Sequence, residues 1–192
     1  MKPIEERLLP VWNRWNGVIP VWAAERAGIR PDSLRRWAAG NPEVSHIRRG
    51  VYMWYPEDSP EEWEPDWDLA PLSQVMATAG PDAWLAGGTT LEYMGLGTVG
   101  GLTLDVGVPR RRRPLDGVTW WVSDERPTAV VAGFPSQDAH RALLRAMPYL
   151  DSDKAEEAMI DAWERGLLTA SQLKETETAY ERRFQWKAPI IR

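Results

Sequence analysis

Apolar residues in the first forty positions recur at helical spacing, and glycine or proline breaks the pattern at short intervals. Ile4, Leu8, Val11, Trp12 and Trp15 fall at i, i+4, i+7, i+8 and i+11, one face of a helix. Pro10 interrupts that face: either the helix kinks there, or it begins near Pro10, which then sits in its first turn. Gly17 ends it. Pro20 opens a second helix through Val21, Trp22, Ala23, Ala24 and Ala27, closed by Gly28. Pro31 opens a third, which runs to about Ala39 and closes at Gly40-Asn41. In this third helix Leu34, Trp37 and Ala38 share the inward face. Asp32, Arg36 and Ala39 point away from it, with Ser33 and Arg35 on the flanks. The period then changes: Val44 to Arg48 alternates, Arg49-Gly50 turns, and Val51 to Trp54 returns as a strand.

Three short helices followed by a basic hairpin, within residues 1–55, is the layout of a winged helix-turn-helix. The residue types suit a nucleic-acid surface. Guanidiniums meet phosphates or guanine edges, and a hydroxyl can meet a base edge. The candidate DNA-binding residues are therefore Arg30, Ser33, Arg35 and Arg36 on or beside the third helix, with His46, Arg48 and Arg49 on the hairpin. Charge agrees. Residues 1–55 hold nine basic against five acidic side chains, a net +4, which leaves the rest of the chain at −9.

Residues 56–68 contain seven acids, three prolines and no base, a composition suited to a linker, and residues 56–69 are assigned as one. Residues 70–192 are expected to form a second, α+β domain of mixed sheet and helices. Helices are predicted over 69–79 and 89–94, the latter after a flexible Ala86-Gly87-Gly88. Strands are predicted over 102–108, 118–122 and 128–132, then helices over 137–147, 152–165 and 169–183. Between the first two strands lies a run of arginines, Arg110, Arg111, Arg112 and Arg113, framed by Pro109 and Pro114. It is a second nucleic-acid contact, a dock for an acidic partner, or a solvated hairpin tip.

Composition removes several classes of chemistry. The chain has no cysteine and only two histidines, so disulfides and thiolate metal sites are excluded and a histidine metal site is poorly supplied. No apolar run approaches the roughly 20 residues of a membrane span, and residues 1–20 lack a signal-peptide pattern, so a soluble cytoplasmic protein is expected. The glycine-rich 95–101 stretch has no following Gly-Lys-Ser/Thr and reads as turns. Ser136, Asp138 and His140 sit too close along one helix to face each other as a triad. Asp151, Asp153, Glu156, Glu157 and Asp161 fall at the start and outer face of a helix and read as solvated surface. A non-enzymatic protein without cofactor or metal is expected.

Beyond this layout, the chain resembles the AbiEi family of bacterial antitoxins and transcriptional regulators. The N-terminal likeness rests on Gly17-Val18, Ala27-Gly28, Leu34-Arg35-Arg36 and Arg49-Gly50-Val51-Tyr52. A second stretch carries Thr89-Thr90-Leu91 to Gly95-Leu96, the strand Leu104 to Val108 with its arginine run, and Gly133-Phe134-Pro135 before Ala139-His140-Arg141-Ala142-Leu143-Leu144. It ends on Arg165-Gly166-Leu167-Leu168. The chain departs from the family where Ser or Thr often precedes the recognition helix. Arg30 stands there, so a cap must come from Asp32, Ser33 or nothing.

The resemblance implies a winged helix that binds inverted repeats in double-stranded operator DNA at its own promoter. It also implies a C-terminal domain that counteracts a nucleotidyltransferase-type toxin, with a monomer or dimer on DNA. The alternative is a protein-interaction module that docks a partner without sequence-specific DNA binding.

Overall fold

The computed structural model describes residues 3–57, 65–101 and 103–185 of a mixed α+β chain. The chain divides into two compact units, 1–82 and 83–192. Residues 58–64 of the expected linker, and Leu102 of the expected 102–108 strand, lie outside the described residues.

The first unit begins with α1 (Pro3–Arg14), which runs through Pro10 and so does not start there. The proline supplies no N–H to the preceding turn, but it lies on the exposed side. Packing of Leu8, Leu9, Val11 and Trp12 holds the helix in spite of it. Trp12 is fully buried and donates its indole N–H to the Trp54 carbonyl at 2.8 Å. Burying about 200 Å² of indole at roughly 25 cal/mol per Å² contributes on the order of 5 kcal/mol. Asn16 and Gly17 then reverse the chain at positive φ.

After this turn the chain forms β1 (Val18–Pro20), α2 (Val21–Arg26), α3 (Pro31–Ala39), β2 (Val44–Arg48) and β3 (Val51–Trp54). The strands make an antiparallel sheet in the order β1-β3-β2. A single 3-10 turn (Trp67–Leu69) leads into α4 (Ala70–Ala79). Residues 18–20, expected only as the approach to a helix, pair with β3 as a strand.

The placement of α4 corrects the expected domain boundary, which put residue 70 at the start of the second domain. Ala70 and Ala77 pack with Val18, Val51 and Met53. Ser73 receives the Asn16 amide at 2.9 Å, and the Ala77 carbonyl receives the Trp22 indole at 3.1 Å. The helix completes the core behind β1 and β3, so its apolar face belongs to the first unit.

The second unit contains β4 (Trp84–Leu85), α5 (Gly87–Met94), β5 (Leu104–Val108), β6 (Val118–Val122), β7 (Ala129–Val131) and β8 (Phe134–Ser136). Three helices complete it: α6 (Ala139–Ala146), α7 (Ser152–Glu164) and α8 (Ala170–Phe184). Among the described residues the sheet order is β6-β5-β4-β8-β7, with β5–β6 and β4–β8 parallel and the other pairs antiparallel. Alanines 139, 142, 146, 155, 158 and 162 are all buried, and small side chains let the helices approach closely around Leu91, Leu143 and Met159. A capping box between Thr169 and Gln172 starts α8.

Because β5 and β6 run parallel, the arginine loop between them is not a hairpin tip. Residues 109–117 return along the sheet edge, where the Leu104 N–H meets the Gly117 carbonyl at 2.7 Å and Leu115 bridges Val118.

Gly17 and Gly50 both hold positive φ, but an added Cβ at Gly17 overlaps the Trp67 indole while one at Gly50 meets nothing within 4 Å. Gly50→Ala is expected to cost about 1 kcal/mol through backbone strain alone. Gly17→Ala adds overpacking, for about 2–4 kcal/mol in total. Urea unfolding followed by tryptophan fluorescence compares the two. Equal costs would show that the Trp67 contact does not constrain the turn.

Candidate nucleic-acid interface

The turn between α2 and α3 is fixed from three sides. Gly28 takes positive φ, the Ile29 N–H bonds the Ala24 carbonyl at 2.9 Å, and Arg7 of α1 donates to the carbonyls of Ala27 and Gly28 at 3.2 and 2.6 Å. Pro31 then sits in the first turn of α3, whose missing donor costs nothing there. No side chain caps this helix. Arg30 occupies the cap position in extended conformation, and its carbonyl accepts from Ser33 and Leu34. Of the alternatives, Asp32, Ser33 or nothing, the last holds.

Leu34, Trp37 and Ala38 anchor α3 inward, and the Trp37 indole donates to Glu5 at 3.0 Å. Opposite, the hairpin carries a register shift between His46 and Arg48. Its turn is tied back to the helices by the Val21 N–H on the Gly50 carbonyl at 2.9 Å. α3 and the hairpin thus face each other across a groove of about 550 Å³, lined by Arg35 from the helix and His46 and Arg49 from the hairpin. Between these three side chains the walls are apolar: Val21, Pro31, Ala38, Ala39, Val44 and Tyr52. His46 rests on the Tyr52 ring at 5.0 Å between centroids.

The remaining candidates stand around this groove without lining it. Arg30 is exposed just before α3, and Ser33 is half-buried in its first turn. Arg36 is exposed and folds back to the Asp32 carbonyl at 3.4 Å. Arg48 is half-buried at the end of β2, with one guanidinium nitrogen shielded and unpartnered. In the second unit Arg110, Arg111 and Arg113 are exposed and Arg112 half-buried. Among the described residues none of these four guanidiniums forms an ion pair or hydrogen bond. The Trp120 indole holds the loop backbone through the Arg113 carbonyl at 2.9 Å.

Sequence patterning did not reveal the polar network of the second unit. Asp105, 5% exposed on β5, accepts from the Gly88 N–H at 3.0 Å, from the Trp121 indole at 3.0 Å and from the Tyr149 hydroxyl. Gln137 takes the Gly87 N–H at 2.9 Å and passes its own amide to Glu125 at 2.9 Å. Arg141 and Arg145 pair with the same Glu125 at 3.4 and 3.5 Å. Gly87 and Gly88 are therefore the hydrogen-bonded first turn of α5, not a flexible approach to it. A single acid inside the apolar strand Leu-Asp-Val-Gly-Val was the available signal. Every polar group of this network answers another, which makes it a clamp on the α5 N-terminus.

Ser136 and Asp138 have separate partners, Thr90 at 3.0 Å and the Arg141 N–H at 2.9 Å, while His140 Nε2 is buried 3.2 Å from Glu175 without a hydrogen bond. Glu157 and Asp161 are more than solvated surface. They accept from Thr98 and Gly97, at 2.7 Å in each case, and so pin the 97–98 turn to α7. Among the described residues no group of three or more His, Asp or Glu is arranged to hold a metal, and no helix is long and apolar enough to cross a membrane.

Burial, then the hydrogen bond to Asp105, pushes the Tyr149 phenol above its ordinary range. A raised folded pKa gives stability that is complete below the unfolded value of about 10 and declines as pH rises past it. Tyr149 is 46% exposed, so solvent screens the effect. Thermal melts across about pH 8 to 11 should show the stability gap between wild type and Tyr149→Phe narrowing above about pH 10. A constant gap would mean that the folded state does not hold the phenol proton.

No protein-family model matches the chain, and no curated protein matches it. Among solved structures, the chain is similar to the RV2827C protein from Mycobacterium tuberculosis, with a TM-score of 0.50 at 15% identity. The match covers 95% of this chain and 75% of that one. At this identity the likeness is one of fold alone.

Proposed function

We propose that this chain is a DNA-binding transcriptional repressor and antitoxin. Its first unit acts as a winged helix-turn-helix on inverted repeats at its own promoter, with α3 in the major groove and the β2–β3 wing on the backbone. The observation that carries this is the convergence of Arg35, His46 and Arg49, from two separate elements, on one groove. By sequence, residues 1–82 are net −4 with the acidic 56–68 stretch included, so the reading rests on the arginines gathered on α3 and the hairpin and not on the net charge of the unit.

The antitoxin half rests on the resemblance carried by Gly133-Phe134-Pro135 and Arg165-Gly166-Leu167-Leu168. On this proposal the second unit opposes a nucleotidyltransferase-type toxin without catalysing a reaction. The unpaired Arg110–Arg113 loop supplies it with a further contact for an anionic partner or for DNA.

One observation favours a second function. Most of the groove lining is apolar, as suits a module that docks a protein. Binding to a duplex from this gene's own upstream region, against a scrambled duplex of equal length at two salt concentrations, separates the two. The repressor prefers its own sequence at the higher salt, where the non-specific phosphate contribution fades. Combining Arg35→Ala with Arg36→Ala is expected to reduce that preference at least about tenfold, with an unchanged circular-dichroism melt. A wild-type chain that binds both duplexes equally would favour the protein-docking module.

A further inference from the structure

The outer face of α3 carries an acid where a phosphate-binding surface has no use for one. Asp32 and Arg35 are each 70% exposed, and the Arg35 guanidinium donates to the Asp32 carboxylate at 3.2 Å, three residues apart on the helix. An ion pair this exposed contributes little to stability. A carboxylate beside DNA phosphates is repelled, so its presence at the N-terminal end of α3 argues that this end faces something other than the backbone. In helix-turn-helix docking the N-terminal residues of the second helix meet base edges. A carboxylate accepts from only one class of edge there, an exocyclic amine such as cytosine N4. A guanidinium beside it fits guanine O6 and N7.

Resting on the DNA-binding function above, we propose that Asp32 and Arg35 are the base-reading pair of α3. Arg35 donates to a guanine, and Asp32 accepts from the N4 amine of a neighbouring cytosine. Before DNA arrives, Asp32 also holds the Arg35 guanidinium outward in one orientation. Thymine or guanine at the cytosine position would present only acceptors to the carboxylate, and repulsion would reject them. Arg49, on the exposed hairpin turn, is then a phosphate contact that carries no sequence information.

The test uses the full chain and a pool of random duplexes of about 20 base pairs, long enough for two half-sites one turn apart. Selection with the wild type gives a preferred site, and every single base-pair variant of that site is then measured with wild type, Asp32→Ala and Arg49→Ala. The wild type should discriminate at one G·C step by about ten- to a hundredfold. Asp32→Ala should lose the discrimination at the cytosine position alone, with equal or tighter binding to scrambled DNA and an unchanged salt slope. Arg49→Ala should keep every base preference and lower the salt slope by about one.

An Asp32→Ala protein that binds all duplexes more tightly with its preferences intact would overturn the proposal, leaving Asp32 as a helix-end charge. A wild type that selects no sequence at all would overturn the DNA-binding function itself, and this pair with it.

Discussion

The first unit depends on the burial of one indole. Trp12 projects from a helix that contains a proline, and its N–H donates to the last carbonyl of β3. Its ring lies against Trp54 and Trp67 at 5.8 and 6.3 Å. Trp54 in turn meets Trp37 of α3 edge-on at 5.3 Å. Tilted and edge-to-face aromatic pairs favour one geometry over others. This chain of rings therefore sets where α1, α3 and β3 lie with respect to each other. Gly17 must bring the backbone against Trp67 without a side chain, and no other residue type fits that turn.

Function in this unit is a matter of what those rings leave outside. With Leu34, Trp37 and Ala38 committed to the core, the opposite side of α3 is left to Asp32, Arg35 and Arg36. The hairpin comes to stand across from it because β3 is paired on one side with β1 and its turn is tied to Val21. A groove results in which two guanidiniums stand at defined places between apolar walls. The second unit uses a different device for the same kind of positioning. A buried carboxylate, satisfied by three donors from separate elements, clamps the start of α5 against β5 and β6. Removing one donor leaves a buried acceptor short of a partner, which costs more than the bond itself contributes.

Local chemistry made much of this legible in the chain itself. The helices over 31–39 and 152–164, the hairpin with its turn at Arg49-Gly50, and the strand over 118–122 arise from periodicity and from glycine and proline, which act on neighbouring residues. The inward and outward faces of α3 come from the same periodicity. Tertiary structure alone decided the rest. β1, β4 and β8 are two or three residues long, too short for an alternating pattern, and exist because distant strands pair with them. α4 shows an apolar face that either unit could have buried, and only the surface behind β1 and β3 selects between them. Which of the seven N-terminal candidates meet at one groove, and which partners Asp105 finds, likewise depend on residues that lie close in space and far apart in sequence.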